Sequence, residues 1–378
     1  MEVFGVGIIG CGNISGIYLH NLPKGAGLEL RGVADIVPAA AQAKADEHGV
    51  PAYTVDEILA RDDIQIILNL TIPDVHAQVS AQIVGAGKHV YSEKPLGVDF
   101  AETKAMLDQA DAAGLRVSCA PDTFLGAGAR VARGLIADGT VGDILSGQIT
   151  IMNHGHEHWH PNPGFYYLPG GGPVMDMLPY YLNALINLIG PVARVRSVNS
   201  APFSERLVTS DGPMKDQTVP VSTPTTLHSL LEFENGAQII SAASFDVWKH
   251  GNRPIELHGT KGSLRVPDPN HFGGDVEVAI GREDWAVHDT GAMPMGVNNW
   301  PLNKEFDRAN YRAAGVAEMA MAIRENRPHR ANGALALHVL DVMLAIVNAN
   351  PEDGPTKIET TVAQPDLMTE EQAAALFV

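Results

Sequence analysis

Strand-like and helix-like segments alternate through the first third of the chain with little slack between them. This alternation limits the fold more than any other feature. Runs rich in β-branched or apolar residues fall at Val3–Ile9, Leu28–Ala34, Ile64–Leu70, His89–Ser92 and Leu115–Cys119. Helical segments fall between them, at Asn13–Leu22, Pro38–His48, Asp74–Ala86 and Phe100–Ala113. Pro38 suits a first helical turn, and Gly87 suits a helix end. Ile64–Leu70 is mostly apolar, as expected of a strand buried on both faces. Repeated strand–helix units of this length predict a parallel sheet with helices on both faces.

The pattern changes near Pro121. A helix from about Gly128 to Asp138 precedes longer strand candidates at Ile144–Met152, Val192–Val198, Thr225–Phe233, Gln238–Phe245, Ile255–His258, Gly262–Val266 and Val276–Ile280. Several are consecutive, with turn signals such as Glu234-Asn235-Gly236 between them, which predicts a largely antiparallel sheet. Helices follow at about Phe306–Asn326 and Gly333–Asn348. The expected organisation is an α/β domain over residues 1–121, an α+β domain over 122–350, and a C-terminal strand or arm over 351–378.

Composition narrows the function. A chain of 378 residues suits two domains, and 45% hydrophobic against 19% charged residues is too apolar for disorder. Lys and Arg total 26 against 44 Asp and Glu, a formal charge of −18. Such a surface repels phosphate backbones and anionic lipid, so neither nucleic acid nor a membrane is the expected partner. Cys11 and Cys119 cannot build a disulfide framework. With no leader-like start, they predict a reducing, cytoplasmic setting. Val174–Ala193 is the most apolar later stretch, but Asp176, two prolines and two asparagines make it a buried helix rather than a membrane span.

Gly10-Cys11-Gly12-Asn13-Ile14-Ser15 follows the first strand and opens the first helix. A dinucleotide needs a tight turn there, close backbone approach to its pyrophosphate, and helix amides aimed at the charge. Ser15 stands where a third glycine is usual, and is still small enough for close packing. Asp35 ends the second strand, where a ribose-binding acid belongs. Its carboxylate would accept from ribose hydroxyls and repel a 2′-phosphate, and Ile36, Val37 and Pro38 supply no positive charge. NAD is therefore expected over NADP, within a Rossmann-type first domain. The alternative is a tight structural turn with Asp35 as a strand-end cap.

Removing a hydride from a carbinol carbon requires a group to take the hydroxyl proton. Lys94 lies just past a strand's C-terminal end, where α/β sheets bind ligands. Beside a cationic nicotinamide and partly desolvated, its pKa is expected to fall. The alternative is a salt-bridged surface lysine. Asp176 and Tyr180 are four residues apart on the helix beginning near Pro173 and so share a face. The dipole of that helix favours an ionised Asp176. The alternatives are a helix-start acid and a packing aromatic.

Asn153–His160 holds four of the fifteen histidines in seven residues. If the segment is extended, His154, His156, His158 and His160 point to one side and Trp159 to the other. Recognition of a polyhydroxylated ring, an inert solvated loop and a metal site all remain open. No metal is expected, because the cysteines are remote and no H-E-x-x-H is present. Trp159 could stack on a sugar face or pack in a core. Trp248, Lys249, His250 and Arg312 are weaker cleft candidates.

Gly7-Ile8-Ile9-Gly10-Cys11-Gly12-Asn13-Ile14, Thr71-Ile72-Pro73 with His76, Glu93-Lys94-Pro95, Gly170-Gly171-Gly172-Pro173-Val174-Met175-Asp176 and Gly259-Thr260-Lys261-Gly262-Ser263-Leu264 together resemble the glucose-fructose oxidoreductase/inositol dehydrogenase (Gfo/Idh/MocA) family. The resemblance covers most of the chain. It implies a Rossmann domain followed by an α+β domain with an open, mostly antiparallel sheet, whose outer face commonly mediates oligomers. It implies a Lys94–Pro95 bond that can be cis. By the same resemblance Gly10, Gly12, Asn13 and Ile14 form the pyrophosphate loop and Asp35 the ribose contact. Thr71, Pro73 and His76 border the nicotinamide ribose, and Glu93 and Lys94 face the reactive end of the cofactor. Asp176 matches the aspartate of D-x-x-x-H, but Tyr180 stands where that motif has histidine.

The expected function is an NAD-dependent dehydrogenase that oxidises a hydroxyl of a sugar, glycoside or cyclitol by hydride transfer to nicotinamide C4. Lys94, His156, His158, Trp159, His160, Asp176 and Tyr180 would contact a small neutral polyhydroxylated substrate. Lys94, with Tyr180 or a loop histidine, would handle the proton. A homodimer or homotetramer is expected. The rivals are a redox-neutral enzyme with tightly held NAD and a non-catalytic NAD-binding sensor or partner subunit. The sensor is disfavoured by the presence of both Lys94 and Asp176.

Overall fold

Strands β1 (Phe4–Ile9), β2 (Leu28–Ala34), β3 (Ala52–Tyr53), β4 (Ile66–Asn69), β5 (His89–Ser92) and β6 (Val117–Cys119) pair in parallel in the order β3-β2-β1-β4-β5-β6. These coordinates are a computed structural model, which describes residues 2–303 and 306–377. The strand order reverses between β1 and β4, so a crevice opens at their C-terminal ends, the ligand position of doubly wound sheets. Helices α1 (Ser15–Asn21), α2 (Pro38–His48), α3 (Val55–Leu59), α4 (His76–Gly85) and α5 (Phe100–Ala112) supply the crossovers. Local chemistry sets their ends. Gly49 stops α2 in the left-handed region at φ 68°, Thr54 and Glu57 cap α3 reciprocally, and the Asp99 carboxylate accepts from the Glu102 amide at the start of α5. Val6, Ile8, Ile66, Ile67 and Leu68 are inaccessible to solvent, as a doubly covered sheet requires.

The second sheet is built from β7 (Ile144–Met152), β8 (Val192–Ser200), β11 (Thr226–Phe233), β12 (Gln238–Ser244), β13 (Ile255–Gly259), β14 (Gly262–Val266), β15 (Val276–Ile280), β16 (Ala286–His288) and β19 (Thr356–Lys357). Two short hairpins lie outside it, β9 (Glu205–Leu207) with β10 (Thr218–Pro220), and β17 (Trp300–Asn303) with β18 (Phe306–Arg308). The sheet order is β16-β15-β14-β13-β7-β12-β11-β8-β19, antiparallel except at β7–β12. Helix α6 (Ala127–Ala137) precedes it. Helix α7 (Gly172–Ile189) packs on its inner face against β7, β11 and β12. Leu178, Leu182, Leu185 and Ile186 of α7 are fully buried, and each such side chain contributes about 1.5–3 kcal/mol. The helix carrying Asp176 and Tyr180 is therefore firmly anchored. Pro179 interrupts its ladder, and its carbonyl accepts from Asn183 Nδ2 at 2.8 Å. The other face of the sheet leaves Val198 and Ile240 open to solvent.

Two expectations need correction. The helix placed at about Phe306–Asn326 begins only at Ala314 (α8, Ala314–Arg324), and part of the preceding segment is β18. Ala313 takes the left-handed conformation at φ 95°. The buried Asp122 carboxylate accepts from the amides of Ala313 (3.2 Å) and Gly315 (2.8 Å). Asp122 lies 191 residues before Ala313, so no local pattern announces this cap. Second, the helix expected to begin at Asp74 starts at His76, after a tight turn over Pro73–Val75. Helix α9 (Gly333–Val347) packs against α5 and β6 of the first sheet and against α7 and β8 of the second. After β19 the chain runs back through α10 (Glu370–Ala374), and Leu376 accepts from the Ala26 amide beside the first sheet. Among the described residues no helix is long and apolar enough to cross a membrane.

Candidate active site

The turn after β1 is shaped by two glycines. Gly10 sits at φ 105°, and a Cβ there would lie 2.5 Å from the Leu70 carbonyl oxygen. A Cβ on Gly12 would meet nothing within 4 Å, so the backbone is bare toward the crevice. Asn13 and Ile14 are exposed, and no side chain caps the helix at Ile14. The Asp35 carboxylate accepts from Cys11 N at 2.7 Å and from Val37 N at 2.8 Å, tying the glycine turn to the end of β2. Each carboxylate oxygen keeps a lone pair for another donor. The carboxylate that caps the strand end thus also stands where a ribose-binding acid is expected. A bare turn, open amides and an acid at the end of β2 fit a dinucleotide.

Past β4, Thr71 Oγ1 donates to Asn69 Oδ1 at 2.6 Å. His76 is buried, with Nδ1 2.6 Å from the Pro95 carbonyl and Nε2 3.1 Å from the Thr71 carbonyl. Burial lowers its pKa, a neutral ring can donate to only one of these two carbonyls, and His76 sits buried between the turns after β4 and β5. Pro73 is half-buried in the same turn. Glu93 likewise points inward. Its Oε1 accepts from the Tyr18 hydroxyl at 2.7 Å, and its Oε2 from Lys94 N at 2.9 Å. The Lys94–Pro95 bond is cis, as is Ala120–Pro121.

Lys94 reaches across to α7. Its Nζ donates to the Asp176 carbonyl at 2.6 Å and to Asp176 Oδ1 at 2.9 Å, and lies 5.4 Å from the centre of the Tyr180 ring. Asp176 and Tyr180 therefore share the face that the four-residue spacing predicts, and both touch Lys94. Among the protein's own groups the direction is opposite to the fall expected beside a cationic nicotinamide. Burial pulls it down, but the Asp176 carboxylate, with Tyr180 and Glu93 adding, outweighs burial and holds it above the ordinary lysine value. Burial acts to raise the Asp176 carboxyl, but Lys94 and His156 hold it well below the usual carboxylate range. Each partner stabilises the other's charge.

The second carboxylate oxygen belongs to the histidine segment. His156 Nε2 lies 2.9 Å from Asp176 Oδ2, and Trp159 Nε1–H donates to His156 Nδ1 at 3.3 Å. Nδ1 is thus an acceptor, the proton sits on Nε2, and both ring nitrogens are engaged. The segment is not extended as first considered. The amides of Trp159 and His160 both bond to the His156 carbonyl, which makes a helical turn after Gly155 at φ 78°. The histidines therefore separate. His160 packs edge-on against Phe165 and Tyr166, and its Nδ1 accepts from Asn162 N at 3.1 Å. His154 stacks on Trp248 at 3.3 Å, and His158 is exposed. These two, with Trp248, Lys249 and His250, line a groove of about 1070 Å³. Behind the turn, Arg206 pairs with Glu157 at 3.1 Å and with Asp246, and Glu157 accepts from the Tyr167 hydroxyl. This buried network fixes the base of the loop.

Two residues gain importance from the structure. Tyr166 packs edge-on on His156 with ring centres 4.1 Å apart, and burial, with Asp176 nearby, pushes its hydroxyl upward. Arg312 Nη2 donates to the Tyr180 hydroxyl at 3.3 Å and to Asn270 Oδ1 at 2.8 Å, while Nη1 donates to Asn310 Oδ1 at 2.8 Å. The aromatic run Phe165-Tyr166-Tyr167 was visible in sequence, but nothing local tells which ring faces Asp176. Among the described residues no group of three or more His, Cys, Asp or Glu side chains is placed to hold a metal ion.

Residues 4–120 match an oxidoreductase family described as having an NAD-binding Rossmann fold, and residues 129–265 match the GFO/IDH/MocA C-terminal domain. Inositol 2-dehydrogenase of Rhizobium meliloti is 25% identical over 275 residues, 73% of this chain and 78% of that protein. Levoglucosan dehydrogenase of Pseudarthrobacter phenanthrenivorans is 26% identical over 292 residues, 71% of this chain and 74% of that protein. A solved levoglucosan dehydrogenase complex with NADH and levoglucosan superposes with a TM-score of 0.80 at 22% identity, covering 95% of this chain and 100% of that one. At that identity the superposition establishes the fold.

Proposed function

The chain belongs to the GFO/IDH/MocA oxidoreductase family, whose first domain binds NAD, and from that premise we propose that it oxidises a secondary hydroxyl, or an anomeric carbon, of a sugar, glycoside or cyclitol. The observation that carries this reading is Lys94. It is a buried ammonium past the C-terminal end of β5, with two N–H groups on Asp176 and one left for an incoming oxygen. A charge-assisted bond to that oxygen favours its negative form as the proton departs. The relatives named inositol and levoglucosan dehydrogenase support a small polyhydroxylated substrate. His156, Trp159, His160 and Tyr166 provide polar and aromatic surface around Asp176 suited to such a ring.

When bound, NAD supplies the hydride acceptor. Gly10, Gly12, Asn13 and Ile14 would hold its pyrophosphate, Asp35 its ribose, and Thr71 and Pro73 would border the reactive end. Asp176 orients Lys94 and His156 and stays ionised. Lys94 stays charged, and is therefore a hydrogen-bond donor rather than the proton acceptor.

The test is a sugar and cyclitol panel followed by NADH absorbance. Turnover of at least one polyol is expected; tight NAD binding with no reduction across the panel returns the chain to the sensor reading. In the same assay the wild type is expected to prefer NAD, and Asp35→Ala to narrow the gap to NADP by weakening NAD. A wild type that prefers NADP contradicts the role given to Asp35.

We also propose a homodimer or homotetramer in a cytoplasmic setting. Val198 and Ile240 are 62% and 57% exposed on the sheet face opposite α7, and apolar side chains in regular register are suited to burial against a partner. Light scattering at micromolar concentration is expected to give a dimer or larger, and a monomer would count against this.

A further inference from the structure

We propose that the groove beside the histidine turn is a second sugar subsite, with Trp248 and Phe203 as its stacking surfaces, and that the preferred substrate is a neutral glycoside of two or more rings. The inference rests on the dehydrogenase reading and deepens it by naming the substrate class.

The groove encloses about 1070 Å³, at the upper end for small-molecule sites and more than one sugar ring fills. Two exposed aromatic rings line it. Trp248 stacks on His154 with ring centres 3.3 Å apart, yet is 83% exposed, so its other face is open. Phe203 is 48% exposed, and its ring centre lies 4.8 Å from the Arg206 guanidinium carbon. Arg206 is buried. It pairs with Glu157 and Asp246 and donates to the Phe245 carbonyl at 2.9 Å. The amides of Thr209 and Ser210 both bond to the Glu157 carbonyl at 2.9 Å, which ties the end of the β9–β10 hairpin to the histidine turn. The stacking surfaces are therefore fixed before any ligand arrives, and little ordering is left to oppose binding.

The lining suits a neutral sugar. Its charged side chains are Glu157, Glu205, Arg206 and Lys249, two of each sign, so no net charge selects an anion or a cation. A pyranose presents C–H groups on its faces and hydroxyls at its edge. Trp248 and Phe203 offer apolar rings to the faces. Glu205, Lys249, His158 and Thr209 are exposed around them and supply acceptors and donors for the hydroxyls.

The groove and the candidate active site share one short segment of chain. His156 Nε2 lies 2.9 Å from Asp176 Oδ2, and His154 and His158, both lining the groove, are two residues to either side, within about 7 Å along the chain. Trp159 links the two places. It adjoins His158, donates to His156 Nδ1, and is half exposed. A ring whose hydroxyl meets Lys94 can thus carry its glycosidic substituent past Trp159 toward Trp248. A single ring on Lys94 leaves Trp248 and Phe203 uncovered.

The experiment compares wild type, Trp248→Ala and Phe203→Ala on a one-ring substrate from the panel and on its glycosides with one and two further rings. In wild type, kcat/KM is expected to be about 10-fold or more higher for a multi-ring substrate, the scale of one well-stacked aromatic contact. Trp248→Ala should remove that gain by raising KM about 10-fold with kcat little changed, and Phe203→Ala should remove part of it. Both constants on the one-ring substrate should stay within about twofold, which also shows that the exposed replacements leave the fold intact. Equal kcat/KM for one-ring and multi-ring substrates, or multi-ring kinetics unmoved by Trp248→Ala, overturns the proposal. A smaller assembly for Trp248→Ala in light scattering also overturns it, because the groove would then be an interface between copies of the chain. If the wild type oxidises no polyol, the dehydrogenase reading falls. Calorimetric titration of the NAD-loaded protein with maltotriose, cellotriose and raffinose then decides on the groove by itself. Binding of at least one, weakened about 10-fold in Trp248→Ala, keeps the subsite. Binding of none, or binding that the variant leaves unmoved, removes it.

Discussion

Lys94→Ala is expected to lower kcat by about 10²-fold or more while NAD binding stays within a few-fold of wild type. The reason is positional. Lys94 Nζ lies on Asp176 and over Tyr180, on the α7 side of the crevice, whereas the pyrophosphate turn is at Gly10 and Gly12 on the far side of β4. Removing the ammonium takes away the donor that would stabilise negative charge on the reacting oxygen. It also leaves Asp176 with only His156. Steady-state kinetics with a substrate found in the panel, alongside direct NAD titration, separate the two effects. Near-wild-type turnover would sink the mechanism and leave the fold assignment standing.

Asp176→Asn is expected to be comparably damaging and to change the pH behaviour as well. The carboxylate accepts from Lys94 on one oxygen and from His156 on the other, and asparagine offers only one acceptor, so an N–H would oppose one of two donors. Lys94 and Asp176 side chains are only 16% and 17% exposed, so breaking the pair leaves a largely buried cation. The stability loss is expected near 3 kcal/mol, the lower end for such pairs, measurable as a fall in the denaturant midpoint. The sign with pH follows from the forces on Lys94. Asp176 is the largest of the groups that raise its pKa against burial, ahead of Tyr180 and Glu93, so without the carboxylate the pKa falls from its native value. The variant should therefore lose residual activity as pH rises through that lowered value, where wild type does not. An alkaline limb identical in variant and wild type would show that Asp176 does not set the charge of Lys94.

Much of this protein is legible in its sequence because the signals are local. The strand–helix alternation gives the parallel sheet, since a right-handed crossover leaves few other ways to bury runs such as Ile66–Leu68. The glycine turn and Asp35 fall where expected because their separation is fixed by one strand–helix–strand unit. Asp176 and Tyr180 share a face because the helical period alone demands it.

Tertiary structure decided what depends on groups far apart in the chain. Lys94 is expected to lose its proton more readily beside a cationic nicotinamide, but among the protein's own groups the Asp176 carboxylate, 82 residues away, with Tyr180 and Glu93 adding, raises its pKa against burial. The histidine segment reads as an extended row, yet the hydrogen bonds of Asp176 and Trp159 select His156 and the turn sends His158 outward. His76 and Glu93 resemble site residues, but their partners are the Pro95 carbonyl and the Tyr18 hydroxyl, inside the fold. Arg312 reads as an ordinary late cation until Asp122 caps the turn that follows it and sets its guanidinium on Tyr180. Periodicity and spacing encode which face a residue takes. The charge and the partner it meets there are set by desolvation and by neighbours from distant segments, which a linear pattern does not carry.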